Sequence, residues 1–112
     1  MITVLVVGEP EDAEALDSVA GRKPSVELLH ARDAEEALER LSRNRRIDGV
    51  LLLLPPARSS EVAAILREED PSSPPLFCSG SGAPPAGVRS LAAATPEELL
   101  DALTRELSGQ GS

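Results

Sequence analysis

Ser79-Gly80-Ser81-Gly82 is the one stretch of this chain whose residue types could cradle an anion, with glycine-spaced backbone N–H groups beside two hydroxyls. It fits no phosphate-loop pattern, because no Gly-Lys-Ser/Thr follows and no helix is expected to start there and lend its dipole. The expectation is a loop. Glu9, Glu11 and Asp12 could hold a divalent cation weakly, but acids in the first turn of a helix complement its dipole without any ligand. Gly8 opens no dinucleotide fingerprint, since Glu9, Pro10 and Glu11 stand where close backbone approach requires glycine. His30 is the only histidine, and its place near a strand end fits a surface or hydrogen-bonded residue better than a general base. Cys78 is the only cysteine, so it forms no internal disulfide; with no cationic neighbours in sequence it reads as a small hydrophobe. No catalytic, cofactor-binding or metal-binding residue is assigned, and no enzymatic activity is expected.

The elements that must position these residues alternate in type. Ile2 to Val7 is a continuous aliphatic run of the kind buried on both faces of a parallel sheet. After Gly8, a helix is expected from Pro10, with Ala13, Leu16, Val19 and Ala20 at helical spacing up to Gly21. Ser25 to His30 reads as a second strand, followed by a helix capped by Asp33, with Glu36 completing a capping-box-like pattern and Ala37, Leu38 and Leu41 facing inward. Ile47 to Leu54 reads as a third, central strand ended by Pro55 and Pro56. Ser59 or Ser60 is expected to cap a third helix carrying Val62, Ile65 and Leu66 and ending before Pro71. Leu76 to Ser79 and Val88 to Ala92 read as short strands. Thr95, Pro96 and Glu98 open a last helix with Leu99, Leu100, Leu103 and Leu107 on its apolar face. Between the last two strands, Gly80 to Gly87 is too rich in glycine and proline for a helix, so a helix is expected to be missing there.

The chain has 112 residues, enough for one self-sufficient core. Its 41% hydrophobic content includes a single aromatic residue, Phe77, so the core is built from aliphatic side chains. A net charge of −8 argues against a nucleic-acid partner. Arg40, Arg43, Arg45 and Arg46 cluster where cations favour the carbonyl end of a helix, with an acidic-partner site as the alternative. The longest apolar run is strand-sized, so no membrane partner is expected. A lone cysteine and no secretory signal pattern point to a cytoplasmic protein. High Ala, Arg, Gly and Pro content fits a GC-rich bacterial genome.

This order of elements predicts an α/β, doubly wound, five-stranded parallel sheet. With Leu5-Val6-Val7, Asp33-Ala34-Glu35-Glu36-Ala37-Leu38, Ile47-Asp48-Gly49-Val50-Leu51-Leu52-Leu53 and Pro96-Glu97-Glu98-Leu99-Leu100, it resembles the receiver domain of bacterial response regulators. The resemblance implies a flavodoxin-like fold, a receiver-like domain over residues 1–108 and a flexible tail over 109–112. It also implies a place in two-component signal transduction.

A receiver carries acids after its first strand, a phosphate-accepting aspartate at the end of its third, a hydroxyl after its fourth and a lysine at the end of its fifth. In this chain Gly8 and Glu9 fall at the acid positions, Leu53 at the phosphoacceptor, and Ser79 or Ser81 at the hydroxyl. Lys23, which follows the first helix, is the only lysine. Asp48 belongs to the opening end of its strand, on the wrong side of the sheet. The resemblance therefore implies a degenerate, aspartate-less pseudo-receiver, without a nucleophile or a cation arrangement for phosphoryl transfer. The expected function is a phosphorylation-independent protein–protein interaction module. Its partner surface is expected at Val88, Arg89 and Leu91, uncovered by the missing helix. The alternatives are a small-ligand binder or enzyme using the Ser79 to Gly82 loop, and a self-associating module, such as a homodimer, excised from a longer regulator.

Overall fold

The computed structural model describes residues 2–22, 26–43, 46–69, 74–79, 88–91 and 95–110. Its elements are β1 (Ile2–Gly8), α1 (Pro10–Ala20), β2 (Val26–Ala31), α2 (Ala34–Arg43), β3 (Gly49–Leu53), α3 (Pro56–Glu69), β4 (Leu76–Ser79), β5 (Val88–Leu91) and α4 (Pro96–Gln110). All strand pairs are parallel, in the order β2-β1-β3-β4-β5. This is the expected doubly wound, flavodoxin-like sheet. The expected missing helix falls on residues 80–87, which lie outside the described residues.

Strand alternation divides the aliphatic runs between two cores. Leu5, Val7, Val50, Leu52, Leu76 and Val88 face α2 and α3, meeting Ala37, Leu41, Val62, Ala63 and Leu66. Val4, Val6, Leu51, Phe77 and Leu91 face α1 and α4, meeting Leu16, Leu99, Leu100 and Leu103. Phe77 is fully buried at the centre of this second layer. At the start of β3, a side chain on Gly49 would press on Leu107, whose two methyl carbons lie 3.1 and 3.2 Å from the place of its Cβ. The absent side chain lets the last turns of α4 reach the sheet.

Local chemistry explains the helix starts. The Asp33 carboxylate accepts the Glu36 N–H at 2.9 Å, and the Thr95 hydroxyl accepts the Glu98 N–H at 3.2 Å, so both are caps as their sequence contexts indicate. The third helix differs from expectation. It begins at Pro56, and Ser59 lies inside it, buried, with its hydroxyl donating to the Leu54 carbonyl at 3.0 Å. Proline suits a first helical position, where its missing N–H leaves no bond unmade, so the two prolines that end β3 also begin α3. At the other end of the chain, α4 runs to Gln110, so the backbone of Gly109 and Gln110 is helical where the sequence pattern suggests a tail.

Candidate functional site

The carboxyl edge of the sheet brings together the ends of β1 and β3. Gly8 and Leu53 are paired across these strands, and Gly8 is buried. A side-chain carbon on Gly8 would fall 2.8 Å from the Leu53 carbonyl oxygen and 2.9 Å from Leu53 Cβ. Leu53 itself is half-buried and packs on the α1/α4 side of the core. At the position the receiver resemblance assigns to a phosphoacceptor, the structure therefore places an aliphatic side chain, continuous with the hydrophobic layer and against a glycine.

Glu9 follows directly, exposed and in extended backbone, as the residue preceding α1. Its side chain makes no capping bond, while its carbonyl accepts the Ala13 N–H at 3.1 Å. Glu11 is also exposed, on the first turn of α1. Ser79 ends β4, paired with Leu91. Ser81, the rest of the Ser79 to Gly82 loop and Lys23 lie outside the described residues. Among the described residues no group of three His, Cys, Asp or Glu side chains is placed to hold a metal ion.

The amino edge holds a carboxylate bonded to the backbone. Asp48 accepts the Thr3 N–H on Oδ2 at 2.9 Å, and its own N–H donates to the Thr3 carbonyl at 2.7 Å. This carboxylate is occupied in joining β1 to the start of β3, on the edge opposite Gly8 and Leu53.

The proposed contact surface on β5 needs correction. Val88 and Leu91 are each only 5% exposed: Val88 packs in the α2/α3 layer and Leu91 in the α1/α4 layer. Both apolar side chains are buried within these layers, so no bare patch is left at these residues. What β5 presents to solvent is Arg89, whose guanidinium pairs with Glu106 of α4 at 2.8 Å, and Ser90.

Two further side chains have structural settings. His30 Nε2 and Asp17 Oδ2 are 3.0 Å apart, linking β2 to α1, while the other ring nitrogen is buried without a hydrogen-bond partner. Burial pushes the Cys78 thiol pKa up, and a hydrogen bond with Ser90 offsets part of that shift. A raised pKa leaves less thiolate, the reactive form. Sequence reasoning found His30 and Cys78 in these roles but missed the Thr3–Asp48 clasp, the Ser59–Leu54 bond and the Arg89–Glu106 pair. Only Asp48, an acid just before an apolar strand, left a local signal.

No protein-family model and no curated protein matches the sequence. Solved structures do. The signal receiver domain of an HD domain-containing protein from Pseudomonas fluorescens aligns over 98% of this chain and 97% of its own, with a TM-score of 0.74 and 24% identity. A chain of the complex between the phosphorylated P1 domain of CheA3 and CheY6 from R. sphaeroides aligns over 96% and 97%, at 0.68 and 17%. The pseudo-receiver domain of CikA aligns over 96% of each chain, at 0.63 and 21%. With its strand order, its two helical layers and these neighbours, the chain has the fold of a response-regulator receiver domain.

Proposed function

We propose that this chain is a phosphorylation-independent protein–protein interaction module of bacterial signalling, a receiver fold that works without an aspartyl switch. The observation that carries the reading is the pairing of Gly8 with Leu53. Phosphoryl transfer is catalysed by charge: a carboxylate nucleophile, a cation held by neighbouring acids and a positive group on the transferred oxygens. Leu53 supplies no nucleophile, Gly8 no carboxylate, and the residues following β5 are Ala92, Ala93 and Ala94, with no lysine. Glu9 alone is a poor cation site.

The expected partner is a protein, as it is for CheY6 in its complex with the CheA3 P1 domain. Exposed acids on the neighbouring helices α1 and α4, among them Glu11, Glu14, Asp17, Glu97 and Glu98, repel a phosphate backbone and disfavour nucleic acid. Among the described residues no helix is long and apolar enough to cross a membrane. A contact at β5 works through charge, with Arg89 and Glu106 as its exposed groups.

Intact-mass measurement after incubation with acetyl phosphate and magnesium tests the proposal. It requires that the protein gain no phosphoryl group and capture its partner equally before and after treatment. A phosphorylated fraction whose partner capture changes would contradict it.

A further inference from the structure

The strand order reverses between β1 and β3: α1 leads outward from β1 to β2, and α2 leads back to β3 over the opposite face. In open α/β sheets the crevice beyond the carboxyl ends of the strands at such a reversal is where ligands bind. Here the last residues of the two strands, Gly8 and Leu53, are paired. The place of a Gly8 side-chain carbon lies 2.8 Å from the Leu53 carbonyl oxygen, 2.9 Å from Leu53 Cβ and 3.4 Å from the Leu53 carbonyl carbon.

Resting on the reading that this edge carries no phosphoryl switch, we infer that the Gly8–Leu53 contact is a steric latch. It bars a side chain from residue 8, so that an acid placed there does not rebuild a cation-binding pair with Glu9. The obstructing atoms are the backbone oxygen of Leu53 and its Cβ, both of which remain when Leu53 becomes Asp. A side chain on residue 8 fits only if β1 and β3 part at their ends. They are held together just behind the latch by the fully buried Val7 and Leu52, which are themselves paired. An alanine at position 8 meets main chain that cannot rotate aside as a flexible side-chain end could. The cost is that of overpacking a close-packed interior.

The test uses the full chain as wild type, Gly8→Ala, Leu53→Gly, Gly8→Ala with Leu53→Gly, and Gly8→Asp. It reads the thermal midpoint and amide NMR shifts during titration with magnesium chloride. Gly8→Ala is expected to lower the midpoint by about 5–15 °C. The same change is expected to cost less in the Leu53→Gly background, where the Cβ contact is gone and the carbonyl contact remains, a coupling that ordinary destabilisation does not produce. Gly8→Asp is expected to lower the midpoint at least as far as Gly8→Ala and to give no saturable magnesium-dependent shifts. A Gly8→Ala midpoint equal to wild type, an equal cost in both backgrounds, or saturable magnesium shifts around residues 8 and 9 in Gly8→Asp would each overturn the latch. The function proposed above is judged separately, on phosphorylation of the wild type, so the latch can fail while that reading stands.

Discussion

Asp48 and Thr3 clasp the amino ends of β3 and β1 by a reciprocal pair of hydrogen bonds, 2.9 Å from the Thr3 N–H to the Asp48 carboxylate and 2.7 Å from the Asp48 N–H to the Thr3 carbonyl. The clasp replaces, at the first step of the β1–β3 ladder, a bond that the strand pairing from Val4↔Gly49 onward makes with backbone alone. Thr3 is 7% exposed, so removing the carboxylate leaves its N–H short of a partner in a poorly solvated place. Asp48→Ala is expected to cost about 1–2 kcal/mol, since a hydrogen bond to a charged acceptor contributes somewhat more than a neutral one. Urea unfolding followed by circular dichroism reads this as a lower midpoint with an unchanged slope. An unchanged midpoint would show that the clasp contributes nothing.

Ser59 is expected to matter for the turn from β3 into α3. Its hydroxyl donates to the Leu54 carbonyl at 3.0 Å from a site 2% exposed, beside the proline pair. Ser59→Ala keeps the helix former and removes the donor, with an expected loss of about 1 kcal/mol. Ser60→Ala, at an exposed neighbour, serves as the control and is expected to be neutral. Equal effects of the two substitutions in denaturant melts would contradict the assignment.

Cys78 gives a pH dependence whose sign follows from its raised pKa. In the folded chain burial favours the neutral thiol, whereas the unfolded chain ionises near the ordinary value of about 8.5. Between the two values the native state binds more protons, so stability is full below the unfolded pKa and falls as pH rises through it toward the folded one. Comparing wild type with Cys78→Ala in melts from neutral to alkaline pH is expected to show a decline that the variant lacks. Alkylation of the native thiol at neutral pH should also be slower than that of a free cysteine, and slower still in Ser90→Ala, which removes the hydrogen bond that lowers the pKa. Faster alkylation than the free amino acid would contradict the burial argument.

Arg89 is expected to contribute little to folding and more to contact. Its ion pair with Glu106 is largely solvent-exposed, and such pairs are worth about 0–1 kcal/mol. Arg89→Glu sets two acids against each other on one surface. It is expected to leave the circular dichroism spectrum intact, lower stability by less than about 1 kcal/mol and reduce partner capture from a native extract. Undiminished capture by the folded variant would remove β5 from the interface.

The fold was legible because its strands are written as unbroken aliphatic runs and its helices carry their own start signals. Val4 to Val7 and Val50 to Leu52 can be buried on both faces only between two helical layers, and Asp33 and Thr95 cap where their contexts indicate. The start of α3 was misplaced because Pro56 serves two purposes, stopping a strand and opening a helix, and a sequence reading credits only the first. The surface at Val88 and Leu91 was misjudged for a different reason. Val88 and Leu91 belong to the two hydrophobic layers, and burial of an edge strand depends on tertiary packing that no local pattern encodes. That residue 53 is a leucine and that Lys23 is the only lysine could be read directly, residue by residue. The closeness of Gly8 to the Leu53 backbone could not, because a glycine in sequence does not say which atoms fill the space its side chain would have taken.

The most direct test of the central claim is a pair of amide NMR spectra of the wild-type protein, with and without beryllofluoride and magnesium, which mimic an aspartyl phosphate. The account predicts superimposable spectra at Gly8, Glu9, Leu53 and Ser79, because an aliphatic side chain paired with a glycine gives the mimic neither an attachment point nor a held cation. Saturable shifts centred on those four residues and spreading to β5 and α4 would contradict it.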